Sequence, residues 1–258
     1  MPPQRIVTLT AETTEIAFAV GAGERVVGVS GYAVRPAEAR KKPKVAAFQT
    51  AHVARILALK PDLVLGFSDL QADIAAELIR AGVTVLITNQ RTLAETYDAI
   101  ALIGAAVGEP AAGLRLATET RTAIEAVAER PGRPERPPRV YFEEWDEPMI
   151  AGIAWVSELI VLAGGDDIFP ELRSGTTASQ RLVSDEQVIE RDPEIIVASW
   201  CGKKARLEKI AARPGWGAIS AVRNGRLFEV KAPDILQPGP SLVHGARQLA
   251  AIIDSVSP

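Results

Sequence analysis

The stretch "LKPDLVLG", Leu59 to Gly66, is answered later in the chain by "RDPEIIVAS", Arg191 to Ser199. Each reads as a charged residue, a proline, an acid and then a β-branched, apolar run. Pro61 and Pro193 stand 193 − 61 = 132 positions apart. A helical pattern leads into each phrase, "HVARILAL" into the first and "SDEQVIE" into the second. Proline cannot continue a helix, because its ring clashes and its N–H is missing. The residue before it is pushed toward extended geometry. The apolar run that follows is short and continuous, as in a strand buried on both faces. Each phrase therefore reads helix, stop, buried strand, which is the αβ joint of a parallel sheet.

Other segments echo at a similar offset. "RIVTLT" from Arg5 and "RVYFEE" from Arg139 each open a half with a basic residue and a strand-like run, 139 − 5 = 134 positions apart. Helical segments ending in glycines follow: "TEIAFAVGAG" and "WVSELIVLAGG". The period is far too long for a solenoid, so the chain reads as two similar α/β lobes. Pattern and punctuation predict, in the first half, strands over 5–9, 25–29, 62–66 and 83–87, helices over 12–20, 51–58, 70–81 and 92–107, and a loop over 30–50. Gly82 stands where a left-handed helix cap is wanted. Residues 110–130 are alanine-rich with aliphatics at helical spacing and predict one long helix, stopped by "PGRPERPP". The second half predicts strands over 139–144, 194–199 and 226–230, and helices over 154–163, 184–190, 203–212 and 240–254. The expected division is an N-terminal lobe (1–109), a connecting helix (110–131) and a C-terminal lobe (132–258). A single long helix is a stiff connection.

Composition is that of an ordinary globular chain: 258 residues, 47% hydrophobic, 24% charged, net charge −3. The basic run "RPAEARKKPK" is brief and proline-broken, so it reads as a solvated loop, and no nucleic-acid partner is expected. The single cysteine, Cys201, excludes an internal disulfide. No apolar run is long enough to span a membrane. The N-terminus "MPPQRIVTLT" enters the first strand without a signal-peptide pattern. If Met1 is the native start, a cytoplasmic location is expected.

Catalytic motifs are scarce. "GAGERVVG" (Gly21 to Gly28) is not a dinucleotide fingerprint, because its glycines close a helix instead of opening one after a strand. The only histidines, His52 and His244, show no paired ligand spacing; His52 lies where a cleft-facing metal contact is a minority reading. Cys201 in "SWCGKK" has no placed histidine partner and reads as an inert small residue. "EEWDE" carries Glu143, Glu144, Asp146 and Glu147 at a strand end and reads as a solvated, ligand-facing loop. No enzyme activity, catalytic cofactor or resident metal site is expected.

Aromatics are few, 5% of residues, and their placement is informative. Tyr32, Phe48, Phe67, Trp145 and Trp200 fall at or just past strand ends, and Trp155 begins the next helix. Phe18, Tyr97, Tyr141 and Phe142 sit inside periodic elements and read as core. Ligands of open α/β sheets bind outside the carboxyl ends of the strands. Flat side chains gathered there would line an apolar cleft for a bulky planar ligand; packing between the lobes is the competing account for any one of them.

"RIVTLTAETTEIAFAVGAGERVVGVSGY", "RILALKPDLVLG", "WVSELIVLAGGDDIF", "VSDEQVIERDPEIIV" and "PGWGAISAVRNGRLFEV" together resemble the helical-backbone substrate-binding proteins of ABC importers, nearest to the vitamin B12-binding type. The resemblance covers nearly the whole chain. It implies two Rossmann-like lobes joined by one long backbone helix, with a corrinoid, cobalamin, held between them and delivered to an ABC permease by a monomeric, extracytoplasmic protein. Iron-siderophore or haem complexes, or a cytoplasmic corrinoid-handling role without a transporter, are the alternatives. The family's ligand contacts fall on Tyr32, Phe48, Phe67, the loop from Met149 to Trp155, and Asp234. One contact tryptophan of the family falls on Gln180; Trp145 and Trp200 are the candidates to replace its surface. Of the two transporter-docking glutamates, one falls on Glu186 and the other on Ala54.

Overall fold

The computed structural model describes residues 1–256. They form two compact units: Met1–Arg121 with Gln237–Pro240, and Thr122–Leu236 with the chain from Ser241 onward. In the first unit β1 (Ile6–Thr8), α1 (Ala11–Ala19), β2 (Val26–Ser30), β3 (Lys44–Ala46), α2 (Val53–Ala58), β4 (Leu63–Phe67), α3 (Ala72–Arg80), β5 (Val85–Thr88) and α4 (Leu93–Ala106) lead into α5 (Pro110–Glu125). The strands make an all-parallel sheet in the order β3-β2-β1-β4-β5. Ile6, Val7, Val64 and Leu65 are fully buried. Each such side chain contributes about 1.5–3 kcal/mol by leaving water.

The second unit contains β6 (Arg139–Asp146), β7 (Met149–Ala151), α6 (Ala154–Leu162), β8 (Asp166–Asp167), α7 (Asp185–Arg191), β9 (Ile195–Ala198), α8 (Leu207–Ala211), α9 (Ser220–Arg223), β10 (Leu227–Glu229), α10 (Ala232–Ile235) and α11 (Leu242–Val256). Its sheet runs β10-β9-β6-β7, with β8 also on β6. All its pairings are parallel except β6 with β7.

The two proline joints carry matching sets of bonds. In the first, Asp62 accepts from the backbone N–H of Gln4 at 2.6 Å and of Arg5 at 2.9 Å, and Arg5 Nε donates to the Leu59 carbonyl at 2.7 Å. In the second, Glu194 accepts from the backbone N–H of Arg139 at 3.1 Å, and Arg139 Nε donates to the Asp192 carbonyl at 3.0 Å. The acid after each proline thus satisfies the entry of the neighbouring strand. The basic residue that opens each half caps the end of the preceding helix. One expectation is corrected. The residues before the prolines, Lys60 and Asp192, are left-handed (φ +50° and +40°), not extended. They close helices, and a left-handed residue is the usual way to satisfy the last carbonyls. Asp192 is further fixed by accepting from Ser220 N at 2.6 Å.

Other differences have local causes. The expected 110–130 helix is regular only to Glu125; beyond it Val127 and Ala128 donate to Ile124 and Glu125, so the last turn tightens. Arg130 then caps the turn by donating to the Val127 carbonyl at 2.7 Å. Gly113 in this helix lies against Gly104 of α4: a Cβ on Gly113 would stand 2.8 Å from the Gly104 Cα, so the pair permits close helix packing. Gly82 is left-handed at φ +83°, as its place predicts. The expected loop 30–50 contains β3, which is three residues long and follows Pro43. The expected 203–212 helix shrinks to α8; ahead of it Lys203 bonds Asp146 and the backbone N–H of Ala205 donates to Glu229 at 2.9 Å. The short β7, β8, α9 and α10 give no periodic signal and are missed.

One core residue is chemically out of place. Glu12, in the first turn of α1, is buried, and its Oε1 has no hydrogen-bond partner among the described residues. Burial raises its carboxyl to about 7, with Thr10 bonding opposing and Glu15 adding to the rise. A folded-state pKa above the unfolded value means the native state holds the proton longer. Stability is therefore full below the unfolded pKa near 4.5 and is lost as pH climbs to about 7. We expect chemical-denaturation stability to fall by on the order of 3 kcal/mol between about pH 5 and pH 8. Glu12→Gln should flatten that slope and be the more stable protein at the upper end; equal slopes would refute the assignment.

Candidate functional site

The carboxyl ends of the first unit's strands bring together most of its expected ligand residues. Ser30 of β2 is in register with Ala46 of β3. Tyr32 and Phe48, each two residues further on, therefore leave neighbouring strand ends at the same level. Tyr32 is 48% exposed. The Phe48 and Phe67 rings stand 6.2 Å apart, tilted by 34°. Gln71 ties the two chain segments together: its Nε2 donates to the Phe48 carbonyl at 2.9 Å and its Oε1 accepts from Phe67 N at 3.1 Å. Phe67 is buried, and the Arg91 guanidinium lies 5.4 Å from its ring centre while pairing with Asp69 at 2.8 Å. Arg91 follows β5 and carried no signal in the sequence. Beneath the rim, Thr8 and Thr14 share a hydroxyl hydrogen bond of 2.7 Å, and Thr13 and Thr14 both donate to the Thr10 carbonyl. Hydroxyls thus absorb the polar groups of the β1–α1 turn.

The second unit's strand ends are organised around buried charge. Glu143 on β6 is fully buried. Arg213 grips it with two hydrogen bonds of 2.5 and 3.0 Å, Trp200 Nε1 donates to it at 3.1 Å, and Tyr141 Oη donates at 3.3 Å. Burial pushes its carboxyl up, and these donors oppose the rise. Glu144 pairs bidentately with Arg181 at 2.6 and 3.1 Å, and Arg181 is itself buried. The expectation of a solvated acidic loop is thus corrected for these two residues: both acids are sequestered by arginines distant in sequence. Asp146, with Trp145 beside it, is half-buried like Glu144. Lys203 Nζ bonds Asp146 at 2.6 Å and lies 3.9 Å from the Trp145 ring and 4.8 Å from the Trp200 ring. A cation held by two indole faces and a carboxylate is a rigid rim feature.

The remaining expected residues divide by burial. Trp200 and Met149 lie in the unit's core cluster, with Trp145 packed on its edge. Trp155 is buried, and its indole N–H donates to the Ile235 carbonyl at 2.9 Å. Asp234 is nearly buried and accepts from Gln248 at 3.0 Å. Gln180 is exposed, but its carboxamide oxygen accepts from Thr176 N and Thr177 N at 2.9 and 3.1 Å, closing a local capping box. Glu186 is exposed in the first turn of α7, its carboxyl held below the usual range by Ser184. Ala54, His52, His244 and Cys201 are exposed. Among the described residues no group of three or more His, Cys, Asp and Glu side chains could hold a metal ion. No helix among them is long and apolar enough to cross a membrane.

The periplasmic binding protein family model matches residues 6–233. The uncharacterized ABC transporter substrate-binding lipoprotein YvrC of Bacillus subtilis (strain 168) is 29% identical over 265 residues, which cover 97% of this chain and 80% of that protein. The periplasmic vitamin B12 binding protein BtuF of Vibrio cholerae aligns with a TM-score of 0.77 and 28% identity, covering 98% of both chains. The periplasmic heme-binding protein RhuT from Roseiflexus sp. RS-1 aligns with a TM-score of 0.85 and 26% identity, again over 98% of both. The two-lobe α/β fold expected from the repeat is the fold of these proteins.

Arg213→Met would leave Glu143 buried without its counter-charge. Breaking one partner of such a pair typically costs about 3–5 kcal/mol, whereas replacing both with apolar groups is often neutral. Denaturant melts should show that loss for the single variant and recovery in Glu143→Leu/Arg213→Met. An unchanged midpoint in the single variant would mean that the pair contributes nothing.

Proposed function

This chain belongs to the periplasmic binding protein family, and from that premise we propose that it captures a corrinoid, cobalamin, outside the cytoplasm and delivers it to an ABC permease. The observation that carries the reading is the aromatic set at the strand ends: exposed Tyr32 beside Phe48, with Phe67 behind it, and Trp145 with Lys203 on the other unit. Flat faces suit a flat macrocycle. The likeness to the B12 binding protein over 98% of the chain supports the same ligand class. In this reading Tyr32, Phe48 and Trp145 touch the ligand. Phe67, Met149, Trp155 and Trp200 back the contact surface, and Gln180 and Asp234 order its loops. Glu186 is the docking acid.

Haem is the second reading, favoured by the exposed phenol of Tyr32, because a tyrosine oxygen can ligate haem iron. Titrations with cyanocobalamin and with haemin, followed by tryptophan emission and by absorbance, separate the two. With the true ligand, Tyr32→Ala should weaken binding about thirtyfold, the size of a lost aromatic anchor, and Glu147→Ala by less than about twofold. No saturable change with either compound would sink the corrinoid and haem readings together.

Rim charges govern encounter more than ligand affinity. Glu186→Arg should therefore leave the ligand dissociation constant unchanged while abolishing stimulation of the cognate permease in vesicles. Undiminished stimulation would remove Glu186 from the docking role.

A further inference from the structure

The basic run that composition alone assigns to a solvated loop ends in a pocket of about 280 Å³ on the first unit. Ala46, Ala47 and Ala51 are its apolar lining. Lys44, Thr50, His52 and Arg55 supply its polar walls, and no acidic residue lines it. Elsewhere in this unit arginines sit on carboxylates, Arg25 on Glu109 and Arg91 on Asp69, each at 2.8 Å. Arg55 and the His52 imidazole have no ion-pair or hydrogen-bond partner among the described residues. Lys44 donates to the Ala39 carbonyl at 3.1 Å, which holds the ammonium in place and leaves it two further protons to donate. Burial, and then the neighbouring Arg40, lower its proton affinity. With no acidic residue in the lining, the positive charge here is not locally cancelled. Arg40, Lys41 and Lys42 add to it, on a chain whose net charge is −3.

We propose that this pocket is a binding site for an oxyanion group of the phosphate class, held by the Arg55 guanidinium, the Lys44 ammonium, the His52 imidazole and the Thr50 hydroxyl. Lys44, Thr50, His52 and Arg55 are exposed in the pocket lining with no acidic neighbour there, and N–H and O–H donors of this kind are what a tetrahedral or planar oxyanion requires. A guanidinium can bind two of its oxygens at once. The site belongs to one unit and includes none of the residues assigned to the macrocycle, though its lining flanks Phe48. A free anion and the phosphate of a lipid headgroup share this chemistry.

The chain offers a direct probe, because His52 and His244 are its only histidines. Imidazole C–H resonances of the full chain are followed by NMR during titration with inorganic phosphate at constant ionic strength and pH. The His52 signals, assigned with His52→Gln, should move saturably while those of His244 stay fixed. Arg55→Gln should weaken phosphate about tenfold, the worth of one charge-assisted hydrogen bond, and Lys44→Gln should weaken it independently, both with unchanged thermal midpoints. A second arm uses phosphatidylglycerol vesicles against phosphatidylcholine vesicles. A His52 response to phosphate in solution assigns a free anion, and a response to the anionic vesicles alone assigns a headgroup. If His52 responds to neither, if both histidines drift together, or if Arg55→Gln responds as the parent does, the site does not exist.

Discussion

The structure depends on how a parallel strand, buried on both faces, is started. Where such a strand leaves the preceding helix, the helix's last carbonyls and the neighbouring strand's first amides lie outside the regular ladders, and side chains of the joint supply their partners. Here it does so in the same way twice. Proline ends the helix, a left-handed residue closes it, the following acid accepts from the neighbouring strand's backbone, and an arginine from that strand's entry caps the helix. Arg5 with Asp62 and Arg139 with Glu194 are two copies of one device. Strand entry is anchored at these points, and the opposite ends of the strands carry the side chains that differ between the two units.

Those opposite ends solve the burial problem differently in the two units. In the first, threonine hydroxyls and Gln71 satisfy the turns, and aromatic rings are left at the surface. In the second, carboxylates and arginines are drawn inside. Glu143 is at the centre: Arg213 neutralises it, Trp200 bonds it, and the Arg213 guanidinium lies 4.6 Å over the Trp216 ring. Trp216 in turn donates to Asp185, the neighbour of Glu186, at 2.5 Å. A continuous set of contacts thus joins the proposed docking acid's helix to an indole behind the ligand rim. Small changes at either end must be accommodated by a buried ion pair, which tolerates displacement poorly.

Glu12 is the first unit's counterpart to this arrangement, but it lacks a counter-charge. Its neighbour across the fold is Gly239, whose added Cβ would stand 3.1 Å from the Glu12 Cβ. The segment carrying Gly239 is held by Gln90 Nε2 donating to the Pro238 carbonyl at 3.2 Å. A carboxyl with an unpartnered oxygen under a tightly apposed segment is tolerable while protonated and costly when ionised. The threonines nearby show the cheaper solution that most of this rim adopts.

The sequence by itself determined the fold class, the repeat, the two lobes and most long elements, because proline, glycine and apolar periodicity act over a few residues. It also placed Tyr32 and Trp145 at strand ends, because a strand's end is a local property; the strand that Phe48 follows was not read. It did not reveal that Trp155, Trp200 and Met149 face inward, nor that Glu143 is buried and Glu144 half-buried on an arginine: "EEWDE" is locally a solvated pattern. Burial became tolerable only when Arg213, 70 positions away, and Arg181, 37 positions away, were brought onto those carboxylates. The short strands β3, β7 and β8 were likewise decided by pairing with neighbours and not by their own residues. Tertiary structure settled these points because the free energy of a buried charge, or of a three-residue strand, depends on partners that local sequence does not contain.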